Sequence, residues 1–143
     1  MMDSGGVDSQ TDRLWLRKWS HDGYGDVYAE ILADPVAMRF ISGEALPREI
    51  SDEISLRSER LWDEGFGPWA ALLKDGDRFV GRIGLSRLDD WPGDQKIEVG
   101  FELGRHYWNQ GLATEGAREA VRFGFEVSPR RHGPLACNRV SPP

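Results

Sequence analysis

Phe101 to Glu115 reads FELGRHYWNQGLATE, and the fold turns on how this stretch is read. It closes an alternating run in which Ile97, Val99, Phe101 and Leu103 share one face and Glu98, Gly100 and Glu102 share the other. Successive side chains of a strand point to opposite faces, so this run is a strand with one apolar and one polar side. A short loop carrying Gly111 follows, and a helical pattern opens at about Ala113. Ala113, Ala117, Ala120, Val121 and Phe125 form the apolar stripe of that helix; Glu115, Arg118, Glu119 and Arg122 form its wet side. The first backbone N–H groups of a helix have no partner within it. Together with the helix dipole they make an anion site. Gly111 removes a side chain where a phosphate would approach, Ala113 keeps the entry narrow but open, and Thr114 adds a hydroxyl. An ordinary strand-to-helix turn needs the same glycine for its backbone freedom. The loop by itself leaves both readings open.

Working outward, Leu14 to Trp19 alternates and predicts a strand, with Leu14 and Leu16 on one face. Tyr24, Val27, Tyr28 and Ile31 follow at helical spacing, and Asp34-Pro35 stops them. Pro47 opens a second helix. Ile50, Ile54 and Leu61 line one face of it; Asp52, Glu53, Arg57, Glu59 and Arg60 lie mostly elsewhere. Trp69 to Leu73 and Phe79 to Leu85 are joined by Lys74-Asp75-Gly76-Asp77. Asp-Gly between apolar runs signals a hairpin, because both turn residues take positive φ. A turn-rich loop from Asp89 to Asp94 leads back to the Glu98 strand. The order is strand, helix, helix, three antiparallel strands, helix, which is an α+β domain with a mainly antiparallel sheet.

At 143 residues the chain has the size of one domain. No apolar run approaches the ~18 residues of a membrane span. Met1 to Gln10 contains Asp3 and Asp8 and no apolar core, so it is not read as a secretion signal, and a cytoplasmic location is expected. The single cysteine, Cys137, excludes an intramolecular disulfide framework and any multi-cysteine zinc site. His21, His106 and His132 lack metal-ligand spacing, so no metal is expected. A net charge of −6 argues against non-specific nucleic-acid binding, and the acidic surplus would steer a cationic partner inward. No GxxxxGK[ST] phosphate loop is present.

The charge is uneven. All 24 acidic residues precede Ser128, whereas the last sixteen residues hold Arg130, Arg131 and Arg139 together with Pro129, Pro134, Pro142 and Pro143. A stretch so dense in proline predicts neither helix nor central strand. Three parts are therefore expected: a disordered leader over 1–10, a patterned body from Thr11 to Val127, and an unpatterned tail over 128–143.

Three blocks in this order resemble the GNAT superfamily of acyl-coenzyme A N-acyltransferases, and its RimJ/RimL type most closely. They are Thr11-Asp12-Arg13-Leu14-Trp15-Leu16-Arg17; Phe79-Val80-Gly81-Arg82-Ile83-Gly84-Leu85; and Glu98 to Leu103 followed by Tyr107 to Glu115. The resemblance implies acetyl-CoA as acyl donor, without a metal, and an amine acceptor: a protein N-terminus or a small molecule. Backbone amides across Asn109, Gln110, Gly111, Leu112, Ala113 and Thr114 would hold the coenzyme A pyrophosphate. Trp108 stands where the general loop pattern begins with Gln or Arg. Phe101, Glu102 and Leu103 would lie along the pantetheine arm, pairing to it like an added strand. Glu98 would be the general base that takes the amine proton through water, with Gly100 leaving space beside it; the competing reading of Glu98 is a solvated or ion-paired carboxylate. Trp62, Trp69 and Trp91 are read as core aromatics before pocket walls, His106 as loop surface, and Cys137 as no nucleophile.

The resemblance also implies a further strand parallel to the Glu98 strand, another helix and two last strands, and SPRRHGPLACNRVSPP matches none of them. The expectation is a domain truncated after its cofactor-binding helix, with the Glu98 strand an exposed edge through which copies of the chain associate. A non-catalytic acyl-CoA binder and an inactive remnant are the alternatives to an active N-acetyltransferase.

Overall fold

The computed structural model describes residues 7–88, 96–131 and 135–137. Six strands form one sheet in the order β1-β2-β3-β4-β5-β6. They are β1 (Val7–Gln10), β2 (Leu14–Lys18), β3 (Pro68–Leu73), β4 (Arg78–Leu88), β5 (Lys96–Leu103) and β6 (Leu135–Cys137). The first five run antiparallel to their neighbours, and β6 is parallel to β5. Between β2 and β3 come α1 (His21–Leu32), α2 (Pro35–Met38) and α3 (Arg48–Leu61); α4 (Leu112–Arg131) follows β5.

The sheet is covered on both faces. Leu14, Leu16, Trp69, Ile83, Leu85, Ile97 and Val99 pack with Leu112 and Ala120 of α4 on one side. Trp19, Ala70 and Leu72 pack with Tyr28, Ile31, Leu32 and Met38 on the other. β3 thus reads as an uninterrupted apolar run, because both of its faces are buried. Gly81 is where β4 and β5 approach most tightly: a Cβ there would lie 2.2 Å from the Glu102 carbonyl oxygen and 2.8 Å from Leu103 Cα.

Several expectations are corrected. Pro35 ends α1 but opens α2, with the Asp34 carboxylate accepting from Val36 N at 3.0 Å. The hairpin turn spans Lys74 to Asp77, and its positive φ values fall at Gly76 (84°) and Asp77 (52°), one place later than Asp-Gly predicts. Of the expected apolar face of α3, Ile54 and Leu61 are half-buried against the core and Ile50 is exposed, while the fully buried positions are Ser51, Ser55 and Ser58. Their hydroxyls are satisfied locally, by Arg48 O at 3.0 Å for Ser51 and Ile54 O at 2.8 Å for Ser58, while Ser55 accepts the Trp19 indole N–H at 2.9 Å. A helix can sit low on a polar patch of sheet when its inward side chains are small and hydrogen-bonded.

The leader and the tail both contribute strands. Residues 7–10 of the expected leader form β1 against β2, and Ser9 donates to Glu119 of α4. α4 continues past Val127 to Arg131, so Pro129 falls in its last turn, where the missing N–H breaks only one late ladder bond. Leu135-Ala136-Cys137 then pairs with Ile97, Glu98 and Val99. Three apolar residues beside a proline are too short to read as a strand from sequence, yet they suffice to cover part of the β5 edge. The Glu98 strand is therefore not an open edge at Glu98 itself, and the sheet continues beyond α4. Trp91, His132 and the loop from Asp89 to Asp94 lie outside the described residues. Among those described, no helix is long and apolar enough to cross a membrane.

Candidate active site

β5 links two places where chemistry can happen. Its polar face looks toward α1 and α3, and its far end turns into α4. Glu98 and Leu103 are five residues apart, about 17 Å along the strand.

On the polar face, Cα partners across β4 and β5 pair Arg82 with Glu102, Gly84 with Gly100, and Ser86 with Glu98. Arg82 grips Glu102 with both arms of its guanidinium, Nε to Oε1 at 2.8 Å and Nη2 to Oε2 at 3.1 Å. Both side chains are only 14% exposed. Arg82 Nη1 also donates to Ser58 of α3, and the Tyr28 hydroxyl of α1 donates to Glu102 at 3.2 Å. The guanidinium lies 5.1 Å from the Tyr28 ring centroid. Burial pushes the Tyr28 hydroxyl far above its ordinary range, and the neighbouring Glu102 adds to this against the opposing pull of Arg82. Burial works against the charge on Arg82, yet Glu102 holds it firmly protonated. The Glu102 carboxylate is thus committed to a buried ion pair that ties β4 and β5 to α1 and α3.

Glu98 is half-buried where two cavities meet. The larger, about 420 Å³, lies between α3 and β4 and is walled by Ile54, Arg57, Ser58, Arg60, Leu61, Arg82, Ser86 and Arg87, with Glu64 beyond the end of α3. The smaller, about 160 Å³, runs along Gly84, Gly100, Phe101 and Glu102 toward Phe40 and Ile41. A Cβ at Gly100 would meet nothing within 4 Å, so the glycine leaves open space beside Glu98.

At the other end, the Trp108 indole N–H donates to Leu103 O at 3.1 Å and fixes the exit from β5. Asn109 (φ 63°) and Gly111 (φ 79°) both take the left-handed conformation. Leu112 is buried and anchors the start of α4, while Gln110, Gly111 and Thr114 are exposed and Ala113 is half-buried. Glu115 N reaches Gly111 O at 3.0 Å as the helix begins, so the N–H groups of Leu112, Ala113 and Thr114 precede the ladder. Among the described residues, β6 pairs with β5 only through Val99, and Gly100 to Leu103 have no strand partner on that side. Among the described residues, the β5 edge from Gly100 to Leu103 thus leads from beside Glu98 to the helix start without a strand partner.

A strap not anticipated from the sequence holds this turn from behind. Glu115 accepts from Arg13 N at 2.8 Å, from Arg13 Nε at 2.7 Å and from the Thr11 hydroxyl. Arg13 Nη1 donates to Gln110 O at 2.8 Å. Peptides are planar and trans, so fixing the Gln110 carbonyl on one side directs the Gly111 N–H to the other. The pair also cancels a carboxylate that would repel an anion at the helix start. Burial opposes the Glu115 charge, but the hydrogen bonds from Thr11 and Arg13 outweigh it and hold the carboxyl below its ordinary range. The strap is accordingly closed at neutral pH and loosens as pH falls through that depressed value. The signal was present in the sequence as Thr11-x-Arg13 and as an acid in the first turn of a helix proposed to bind anions. We expect Arg13→Gln to weaken binding of a pyrophosphate-bearing ligand at this helix start about tenfold, the worth of one charge-assisted hydrogen bond. Equilibrium titration of the variant with such an anion would check this.

The other candidates are placed plainly. Trp69 is fully buried, and the Trp62 indole donates to Pro68 O at 2.7 Å while its ring packs on Trp69 and Phe123, so both are core aromatics. His106 is exposed in a short turn after β5. Cys137 lies in β6 opposite Val99. Among the described residues no group of three or more His, Cys, Asp or Glu is placed to hold a metal ion.

This combination of splayed strand edge, glycine turn and helix start has clear relatives. The sequence profile of the acetyltransferase (GNAT) domain matches residues 13–138, and the chain belongs to that family. It is 25% identical over 117 residues to an uncharacterised N-acetyltransferase, p20, of Bacillus licheniformis, an alignment covering 80% of this chain and 64% of that protein. The crystal structure of an acetyltransferase from Agrobacterium tumefaciens superposes with a TM-score of 0.73 at 21% identity, covering 90% of this chain and 72% of the other. RimL, a ribosomal L7/L12 alpha-N-protein acetyltransferase solved with coenzyme A, superposes with a TM-score of 0.61 at 9% identity, over 83% of this chain and 67% of its own. The chain thus spans 64% of the length of the Bacillus licheniformis relative.

Proposed function

We propose that this chain is an acetyl-CoA-dependent N-acetyltransferase that moves the acetyl group directly to a primary amine. The observation that carries the reading is β5 itself. It presents Glu98 to a cavity at one end, has no strand partner from Gly100 to Leu103 among the described residues, and ends in a glycine turn with free helix N–H groups. The backbone amides from Asn109 to Thr114 hold the pyrophosphate, in the way a helix start binds anions. Phe101, Glu102 and Leu103 pair through their main chain with the pantetheine amides; the Glu102 side chain has its separate task in the ion pair with Arg82.

The acetyl thioester then lies beside Glu98. Glu98 takes a proton from the acceptor ammonium through water, which frees the nitrogen lone pair. That pair attacks the thioester carbonyl carbon and a C–N bond forms. As the C–S bond breaks, the nitrogen gives up its second proton, and the leaving thiolate takes it up through water, so the products are the amide and the free thiol. Holding the two reactants together in one slot supplies much of the acceleration. The acceptor class includes protein N-termini, supported by the likeness to RimL, and small-molecule amines.

Thermal melting with and without acetyl-CoA tests the reading. A ligand that binds only the folded state must raise stability, by about 2.7 kcal/mol at a hundredfold excess over Kd. An upward shift with acetyl-CoA, and none with acetate, is the expected result. A cooperative melt that acetyl-CoA does not move would overturn it.

A further inference from the structure

The cavity beside Glu98 reverses the charge of the molecule around it. The chain carries a net charge of −6, yet four arginines, Arg57, Arg60, Arg82 and Arg87, line this cavity against Glu64 and Glu98. Two of the four are spent. Arg82 is clasped by Glu102, and Arg87 pairs with Glu64. Arg57 and Arg60 have no ion-pair partner among the described residues. They stand three apart on α3 and so neighbour one another on one face of the helix. Both are exposed at the rim of the cavity that Glu98 also lines. At the start of α3 Arg48 pairs with Asp26 and Asp52, and Glu59 accepts from His21 N at 2.7 Å. Glu53 stands four residues before Arg57, but the two form no ion pair, so the Arg57 guanidinium is left for the cavity.

We infer that the acceptor is an amine carrying an oxyanion close to its nitrogen, with the nitrogen at Glu98 and the carboxylate or phosphate on Arg57 and Arg60. This rests on the N-acetyltransferase reading above and narrows its substrate class. Guanidinium groups present forked donors that match an oxyanion in two-point contact. An acceptor that is cationic at one end and anionic at the other is drawn into the cavity in a single orientation. Polyamines and other polycationic acceptors meet two arginines before they meet Glu98. The expectation from net charge alone, a cationic acceptor, is thereby reversed at the site.

The test uses the full chain with acetyl-CoA and peptide amides sharing one N-terminal serine, followed by two glutamates, two alanines or two lysines. Free aspartate and phosphoserine distinguish an amino-acid source of the oxyanion from a peptide one. We expect kcat/KM to fall by roughly threefold to tenfold from the acidic to the neutral peptide and again to the basic one, with the spread shrinking in high salt. Arg57→Gln with Arg60→Gln should flatten the order, and Arg57→Glu with Arg60→Glu should invert it, while the KM for acetyl-CoA stays fixed. A purely structural role would lower the melting temperature of these variants without reordering the peptides. If acceptors turn over too slowly to rank, their equilibrium affinities for the protein saturated with coenzyme A decide the matter. Equal ranking, or the basic peptide first, overturns the inference but leaves the donor site standing. Failure to bind acetyl-CoA overturns the broader reading instead.

Discussion

Glu102→Ala is expected to destabilise the fold by about 3–5 kcal/mol, the usual consequence of removing one partner from a buried ion pair. The reason is what the substitution leaves behind. Arg82 is 14% exposed, lies under α1 and α3, and gains its two-point contact from Glu102. Without that carboxylate the guanidinium loses its two-point partner and keeps the Ser58 hydroxyl, the face of Tyr28 and the more distant charge of Glu98. Tyr28 loses its hydrogen-bond acceptor at the same time. Typical domains are stable by about 5–15 kcal/mol in total, so the variant should be close to unfolding. Replacing both members together, Arg82→Met with Glu102→Leu, should cost much less, because no lone charge is then stranded. Urea denaturation of the two variants separates these cases. A single-variant loss below about 1 kcal/mol would show that water reaches the pair and that the network does not tie the helices to the sheet.

The second large effect falls on chemistry. Glu98→Gln should lower kcat by about a hundredfold or more, the range in which a positioned general base contributes. Glutamine keeps the shape and much of the hydrogen bonding, so the KM for acetyl-CoA should hold. The deficit should also depend on the acceptor. An amine with a low pKa arrives already neutral and needs no base, so its rate should be nearly restored in the variant. A kcat that is unchanged for ordinary ammonium acceptors would assign Glu98 the structural role that its position opposite Ser86, at the mouth of two cavities, also permits.

The strand pattern of β5 was legible because it has a clean period and one buried face. The α4 stripe was legible at Ala113, Ala117, Ala120 and Val121, but Phe125, expected in it, is 65% exposed, and Leu112 and Phe123 pack inward instead. The hairpin was legible from Asp-Gly, although the positive φ values fall on Gly76 and Asp77. α3 was misread for a physical reason. Its fully buried positions are Ser51, Ser55 and Ser58, because α3 packs closely on α1, with Ser55 bonded to Trp19 and His21 and Ser58 to Arg82. A search for apolar periodicity finds Ile54 and Leu61, which are half-buried, and Ile50, which is exposed. β1 and β6 are short and take their stability from the strands they join, Val7–Gln10 on β2 and Leu135–Cys137 on β5. Tertiary pairing of that kind leaves little trace in local sequence. At the site, the turn proposed to hold the pyrophosphate was visible as glycine before a helix. The Arg13–Glu115 strap and the arginine rim were not, since both join residues far apart in the chain.

The central claim is that β5 and the turn after it bring an acetyl thioester to an amine beside Glu98. Its most direct test is to incubate the chain with acetyl-CoA and an acidic N-terminal peptide, and to measure released thiol and acetylated peptide in the same sample by mass spectrometry. The account predicts equal amounts of the two, with acetylation on the N-terminal nitrogen and both signals falling together in Glu98→Gln. Thiol release without acetylated peptide, or acetylation that Glu98→Gln leaves untouched, would contradict it.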